Sequence, residues 1–171
     1  LPKGDTTQRG RGRGIISGGA VPSSPYYINT IEFISIQSNG NGIDFGDLSS
    51  TSKGAGSTLG NETRAVSGGG YGSPINNGSM EFFEIATQSN TTDFGDLLNQ
   101  IRSLTSLANS TRGIFAGGTY APGSPGTHFN TIQFITIGTL GDATDFGDMV
   151  SGRRDAAALS SPTRGIIAGG N

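Results

Sequence analysis

The sequence predicts an all-β protein, an array of four-stranded antiparallel units each about 50 residues long. Three observations predict it. First, one phrase is written four times: Arg13-Gly14-Ile15-Ile16-Ser17-Gly18-Gly19, Arg64-Ala65-Val66-Ser67-Gly68-Gly69-Gly70, Arg112-Gly113-Ile114-Phe115-Ala116-Gly117-Gly118 and Arg164-Gly165-Ile166-Ile167-Ala168-Gly169-Gly170, with the arginines 51, 48 and 52 residues apart. Such a period belongs to a propeller or a related array. Second, 30 glycines and only 32% hydrophobic residues in 171 exclude a helical bundle and suit short strands between turns. Third, each unit holds one strand-length segment that is apolar on both faces, as a sheet stacked between two others would be.

Ten residues before each arginine stand Lys3, Gly54 (beside Lys53), Arg102 and Arg154. The small residues that follow, Asp5-Thr6-Thr7, Gly56-Ser57-Thr58, Ser103-Leu104-Thr105 and Asp155-Ala156-Ala157-Ala158, predict a first strand that neighbouring backbones approach closely. A polar turn comes next, as in Leu59-Gly60-Asn61-Glu62 or Ser160-Ser161-Pro162. The repeated phrase is the second strand, and its double glycine suits a strand end where the backbone leaves the usual angles.

A long variable loop, 20–29, 71–78 or 119–130, leads to a third strand: Thr30 to Ile36, Ser79 to Ile85 and Thr131 to Ile137. Because strand side chains alternate, one face carries Ile31/Phe33, Met80/Phe82 and Ile132/Phe134. The other opens with Glu32, Glu81 or Gln133 and continues Ile34/Ile36, Phe83/Ile85 and Ile135/Ile137. A short fourth strand is Asp44-Phe45-Gly46-Asp47-Leu48, Asp93-Phe94-Gly95-Asp96-Leu97 or Asp145-Phe146-Gly147-Asp148-Met149, with the aromatic and the last aliphatic residue buried. The units run 1–49, 50–98 and 99–150, with half a unit at 151–171.

These elements resemble the blade of kelch-type β-propellers: a basic residue (Arg102, Arg154), a small-residue strand (Ala156-Ala157-Ala158), an apolar strand ending Gly-Gly (Ile166 to Gly170), an apolar third strand and an outer aromatic (Phe146). The resemblance spans essentially the whole chain, with Phe45, Phe94 and Phe146 where that family carries tryptophan. The wording itself, Thr-Arg-Gly-apolar-x-x-Gly-Gly with Asp-Phe-Gly-Asp-Leu, is similar to repeat proteins of marine bacteriophages of the tail or fibre type. The resemblance implies a kelch-like propeller, or part of one, in a non-enzymatic structural or attachment protein of a virion that presents loops to a host-surface glycan or protein. A cellular kelch-type protein-interaction module is the alternative, and a glycan-active enzyme ranks third.

The residues sharpen this. Asp-Phe-Gly occurs three times, whereas a catalytic group is needed once, so no catalytic residue and no cofactor is assigned. Two carboxylates in four residues fall short of the six to eight oxygens calcium takes. The expected role of Arg13, Arg64, Arg112 and Arg164, and of Asp44, Asp47, Asp93, Asp96, Asp145 and Asp148, is structural, with Arg64 and Arg112 each pairing with an Asp-Phe-Gly-Asp carboxylate of its own or a neighbouring unit. Arg9-Gly10-Arg11-Gly12-Arg13 resembles an RNA-binding segment, but its register makes it a strand turn. The net charge of −2 leaves no footprint for nucleic acid or an anionic membrane.

No window is apolar enough to span a bilayer. The chain contains no cysteine, which excludes disulfides and thiolate metal sites. The four sequons, at Asn61, Asn77, Asn90 and Asn109, fall in predicted turns and carry no glycan reading.

The candidate ligand-binding residues are Tyr26, Tyr27, Tyr71, Tyr120, His128 and Phe129 in the loops after the double glycine, since loops on a rigid scaffold carry most binding and aromatic faces suit sugar rings; the alternative is that these rings pack over the scaffold. Three and a half units close no ring, and unpaired edges invite association. The expected partner is therefore another copy or the remainder of a longer propeller. The chain begins at Leu1 without a secretory signal and reads as a processed product or a piece of something longer. The virion is the expected location.

Overall fold

A computed structural model describes residues 12–24, 26–50, 54–72, 75–120 and 127–171. The expected first strand at Lys3 to Thr7, the arginines Arg9 and Arg11 and the loop prolines Pro74, Pro122 and Pro125 lie outside them. The chain is all-β and antiparallel throughout, with no helix among the described residues.

Sheet I holds β1 (Arg13–Ala20), β2 (Tyr27–Ser35) and β3 (Ile43–Asp47) in that order. Sheet II has β4 (Ser57–Gly60), β5 (Arg64–Gly68), β8 (Ser79–Glu84) and β9 (Thr92–Asp96), with the two-residue strands β6 (Tyr71–Gly72) and β7 (Ile75–Asn76) paired in the loop between β5 and β8. Sheet III repeats the pattern: β10 (Thr105–Ala108), β11 (Arg112–Ala116), β14 (Thr131–Thr136) and β15 (Thr144–Asp148), with the small pair β12 (Thr119–Tyr120) and β13 (Thr127–His128). A hairpin of β16 (Ala157–Ser160) and β17 (Gly165–Ala168) follows.

The described first strands lie one to three residues later than expected. Leu59 and Gly60 belong to β4 and not to the turn. The shift has a packing reason: Leu59 faces Val66 across the ladder and is 5% exposed in the core. The turn is instead closed by Asn61, whose Oδ1 accepts the backbone N–H groups of Thr63 (2.9 Å) and Arg64 (2.8 Å). Asn109 does the same for Thr111 and Arg112. Such Asx turns explain two of the four sequons as backbone devices.

Two glycine placements are dictated by geometry. The first glycine of each double has φ between 61° and 70° at positions 18, 69, 117 and 169, and the second has φ between 90° and 131°. The glycine of Asp-Phe-Gly-Asp sits at a bulge, where the ladder slips beside Ile31, Met80 and Ile132. There Gly46, Gly95 and Gly147 have φ of 149°, 137° and 134°. A Cβ on Gly95 would also lie 2.5 Å from the Gly141 carbonyl of the next sheet. Residues with side chains rarely adopt these angles.

The sheets stack through two apolar cores. Phe45 and Leu48 of sheet I meet Ala65, Phe83 and Ile85 of sheet II. Leu59, Val66, Met80, Phe94 and Leu97 of sheet II meet Phe115, Ile135 and Ile137 of sheet III. Sheet II is therefore buried on both faces, as the two-sided apolar pattern of its third strand requires. The first strands β4, β10 and β16 lie side by side, and small side chains bridge them: Ser57 to Ser106 at 2.7 Å, and Ser160 Oγ to the Ala108 carbonyl at 2.6 Å. Ala55, Ser103 and Asp155 share φ of 55–58°, and Ser103 and Asp155 each donate an N–H to the carbonyl of the preceding one.

Candidate functional site

Arg64 and Arg112 were expected to pair with the repeated aspartates, and among the described residues neither does. Asp44, Asp47, Asp93, Asp96, Asp145 and Asp148 are all exposed, and the carboxylate partner of Arg64 is Glu84, at 2.9 Å. The arginines stack instead. Arg13, Arg64 and Arg112 lie over Phe33, Phe82 and Phe134 at 4.5, 4.3 and 4.6 Å from the ring centroids. The pairing register causes this, because Ile15, Val66 and Ile114 sit opposite those phenylalanines, two residues along from each arginine on the same face. The first two arginines also reach into the next sheet. Arg13 Nη1 donates to the Ile85 carbonyl (2.7 Å) and Arg64 Nη1 to that of Ile137 (3.1 Å).

The aspartates act through their backbone. The N–H of Asp47 donates to Asn90 Oδ1 (3.0 Å) and that of Asp96 to Asp142 Oδ1 (2.9 Å), in each case on the following sheet. Sequence reasoning missed a further pair of cross-sheet acceptors. Glu81 and Gln133 are buried polar residues on otherwise apolar strands. Glu81 accepts from the N–H (2.7 Å) and hydroxyl (3.0 Å) of Ser49, and Gln133 accepts from the N–H of Leu98 (2.8 Å). Their signal was in the chain: a polar side chain recurs at the same register, as Glu32, Glu81 and Gln133. Among the described residues, no group of three or more His, Asp or Glu is placed to hold a metal ion.

The six loop residues divide into three kinds. Tyr27 and Tyr71 meet edge to face at 5.5 Å, and the Arg102 guanidinium lies 4.6 Å over the Tyr71 ring. Backbone pairing holds this row in place. Tyr27 opposes Ala20 at the end of β1, Tyr71 bridges Gly54 and Arg102 bridges Thr119. Gly54 is required there, because a Cβ would collide with the Tyr27 ring. Phe129, by contrast, packs against the core between sheets II and III, so it is structural. Tyr26, His128 and Tyr120 form the third kind. Tyr26 is exposed with φ of 64°, a strained angle for its type. His128 is exposed and paired with Thr119, and Tyr120 is half-buried opposite Thr127. No ring contact joins these three to the Tyr27–Tyr71–Arg102 row among the described residues.

The site is thus a stacked aromatic–guanidinium row on the loops of a sheet array, and it offers aromatic rings and hydrogen-bond donors. Fold and site together define an all-β protein of stacked antiparallel sheets. No protein-family model matches the chain, and no curated protein is significantly similar to it.

Proposed function

We propose that this is a non-enzymatic attachment or structural protein of a bacteriophage particle, and that its sheets are blades of a kelch-like propeller or of part of one. The units 1–49, 50–98 and 99–150, with the half unit 151–171, are then three blades and the start of a fourth. The loops after the double glycines present the binding surface, and the ligand is a host-surface glycan or protein. The observation that carries this reading is the row Tyr27–Tyr71–Arg102, held by backbone bridges on a rigid scaffold. Aromatic rings and a guanidinium fixed in this way suit the apolar faces and hydroxyl acceptors of a sugar at little ordering cost.

The test is binding of the fluorescently labelled chain to a glycan array and to a panel of marine bacterial cells. Retention on a defined glycan class, lost in Tyr71→Ala and Arg102→Ala but kept in Asp145→Ala, is the expected outcome. Binding to cells that survives periodate but not protease treatment would assign the ligand to protein. No binding to either surface would remove the attachment reading.

A further inference from the structure

Several contacts that join one sheet to the next are made twice, and their unmatched halves lie on opposite faces of the stack. The side chain of Arg13 reaches the Ile85 carbonyl and that of Arg64 reaches the Ile137 carbonyl. Arg112, the next in the series, is exposed and has no such acceptor among the described residues. At the other end, Ile36 holds the position of Ile85 and Ile137 and is exposed. The N–H groups of Ser49 and Leu98 find Glu81 and Gln133. Val150 follows Leu98 in that series, Glu32 precedes Glu81, and both are exposed. Phe45 and Phe94 are each 2% exposed beneath the following sheet, whereas Phe146 is 53% exposed.

The terminal hairpin repeats the theme. Arg164 is the fourth arginine of the series, and among the described residues β17 pairs with β16 alone, with no strand carrying a stacking phenylalanine beside it. A hollow of about 170 Å³ lined by Leu107, Ile114, Phe146, Pro162 and Arg164 lies at this end. The phrase beginning at Arg164 matches the one beginning at Arg13 at every position except Ala168, which stands where the other has Ser17. The strand β17 therefore carries the same pairing information as β1.

We propose that the uncovered face of sheet III, together with the free edge of β17, is a docking surface for sheet I of a second copy of this chain. The copies join head to tail, and β17 takes the place of β1 beside the partner copy's β2. Every half-contact above is then completed by the group its counterparts already use. Arg112 meets the carbonyl of Ile36, the Val150 N–H meets Glu32, Phe146 goes under Ile34, and Arg164 stacks on Phe33. The backbone bonds lost from β1 are replaced by those of β17 in the same register. The contact is heterologous, so it propagates to a closed ring or an open filament. It is independent of what the loops bind.

The register supplies the test. Arg13 pairs with Ser35 in β2, as Arg64 does with Glu84 and Arg112 with Thr136. After exchange Arg164 stands opposite Ser35 of the other copy. Facing residues of antiparallel strands have Cα atoms about 4.5–5.5 Å apart, within disulfide range. Both residues are exposed, and the chain has no cysteine of its own. Ser35→Cys and Arg164→Cys chains are mixed, oxidised and run on a non-reducing gel, with light scattering of the unaltered chain at several concentrations alongside. The expected result is a covalent dimer in the mixture and in neither variant alone, with a mass above that of one chain. A monomer at every concentration, a mixture without the cross-link, or a cross-link within one variant alone each overturns the proposal.

Discussion

Arg64 is held by three contacts of different strength. The stack on Phe82 is worth about 0.5–1 kcal/mol for a partly exposed pair, and the half-exposed ion pair with Glu84 adds about 0–1. The bond to the Ile137 carbonyl, charged and between sheets, contributes about 1.5–3. Arg112 keeps the stack on Phe134, at 4.6 Å, and is otherwise exposed. Arg64→Ala is therefore expected to destabilise by about 2–4 kcal/mol and Arg112→Ala by less than about 1. Urea denaturation of the two variants checks this. Equal losses would show that the stack, common to both, is the only contact that matters. Glu84 was not part of the sequence reading because Arg64 and Glu84 are 20 residues apart and only the β5–β8 register brings them together.

The fourth strand is the element where conformation and packing can be separated. Gly95 and Gly147 occupy the same bulge with φ of 137° and 134°. Only Gly95 has the next sheet's backbone against it, since nothing lies within 4 Å of a Cβ at Gly147. Gly147→Ala carries the strain of the angle alone, about 1–2 kcal/mol, and Gly95→Ala adds a collision with fixed backbone, so its loss is expected to exceed about 3. Thermal unfolding of both variants measures the difference. Comparable losses would mean that sheets II and III are not held together at the Asp-Phe-Gly-Asp segment. The first strands obey the same logic. Leu59 is 5% exposed and its counterpart Leu159 is 64% exposed, although the two side chains are identical.

At the scale of the molecule, the sheets form a directional stack with a different surface at each end. Phe94 lies between two sheets and Phe146 lies on the last face. Phe94→Ala is expected to cost about 3–5 kcal/mol. Phe146→Ala should change the stability of the dilute chain by no more than about 0.5. If copies join head to tail, the melting temperature of the unaltered chain rises with concentration by mass action, and Phe146→Ala flattens that rise. A concentration-independent melt for both chains would leave the exposed face without a partner of its own kind.

The sequence by itself determined the all-β class, the repeat, the two-faced third strand and the need for glycine at the strand ends. These are local properties: side chains alternate along a strand, and the backbone angles at Gly69 or Gly95 exclude a Cβ wherever the strand is placed. The candidate site was legible only in part. Tyr27 and Tyr71 were named from their loops, but the guanidinium that completes the row, Arg102, comes from the stretch before the next first strand and meets Tyr71 only through the stacking of one unit on the next. The pairing of arginine with aspartate failed for a related reason, since opposite charges on one repeat predict attraction but not reach. Tertiary structure alone decided that the arginines lie over phenylalanines, that Glu81 and Gln133 are cross-sheet acceptors, and that Phe129 is core while Tyr26 is surface. Those outcomes depend on ladder register and on which face of each sheet another sheet covers, and neither is written within a single repeat.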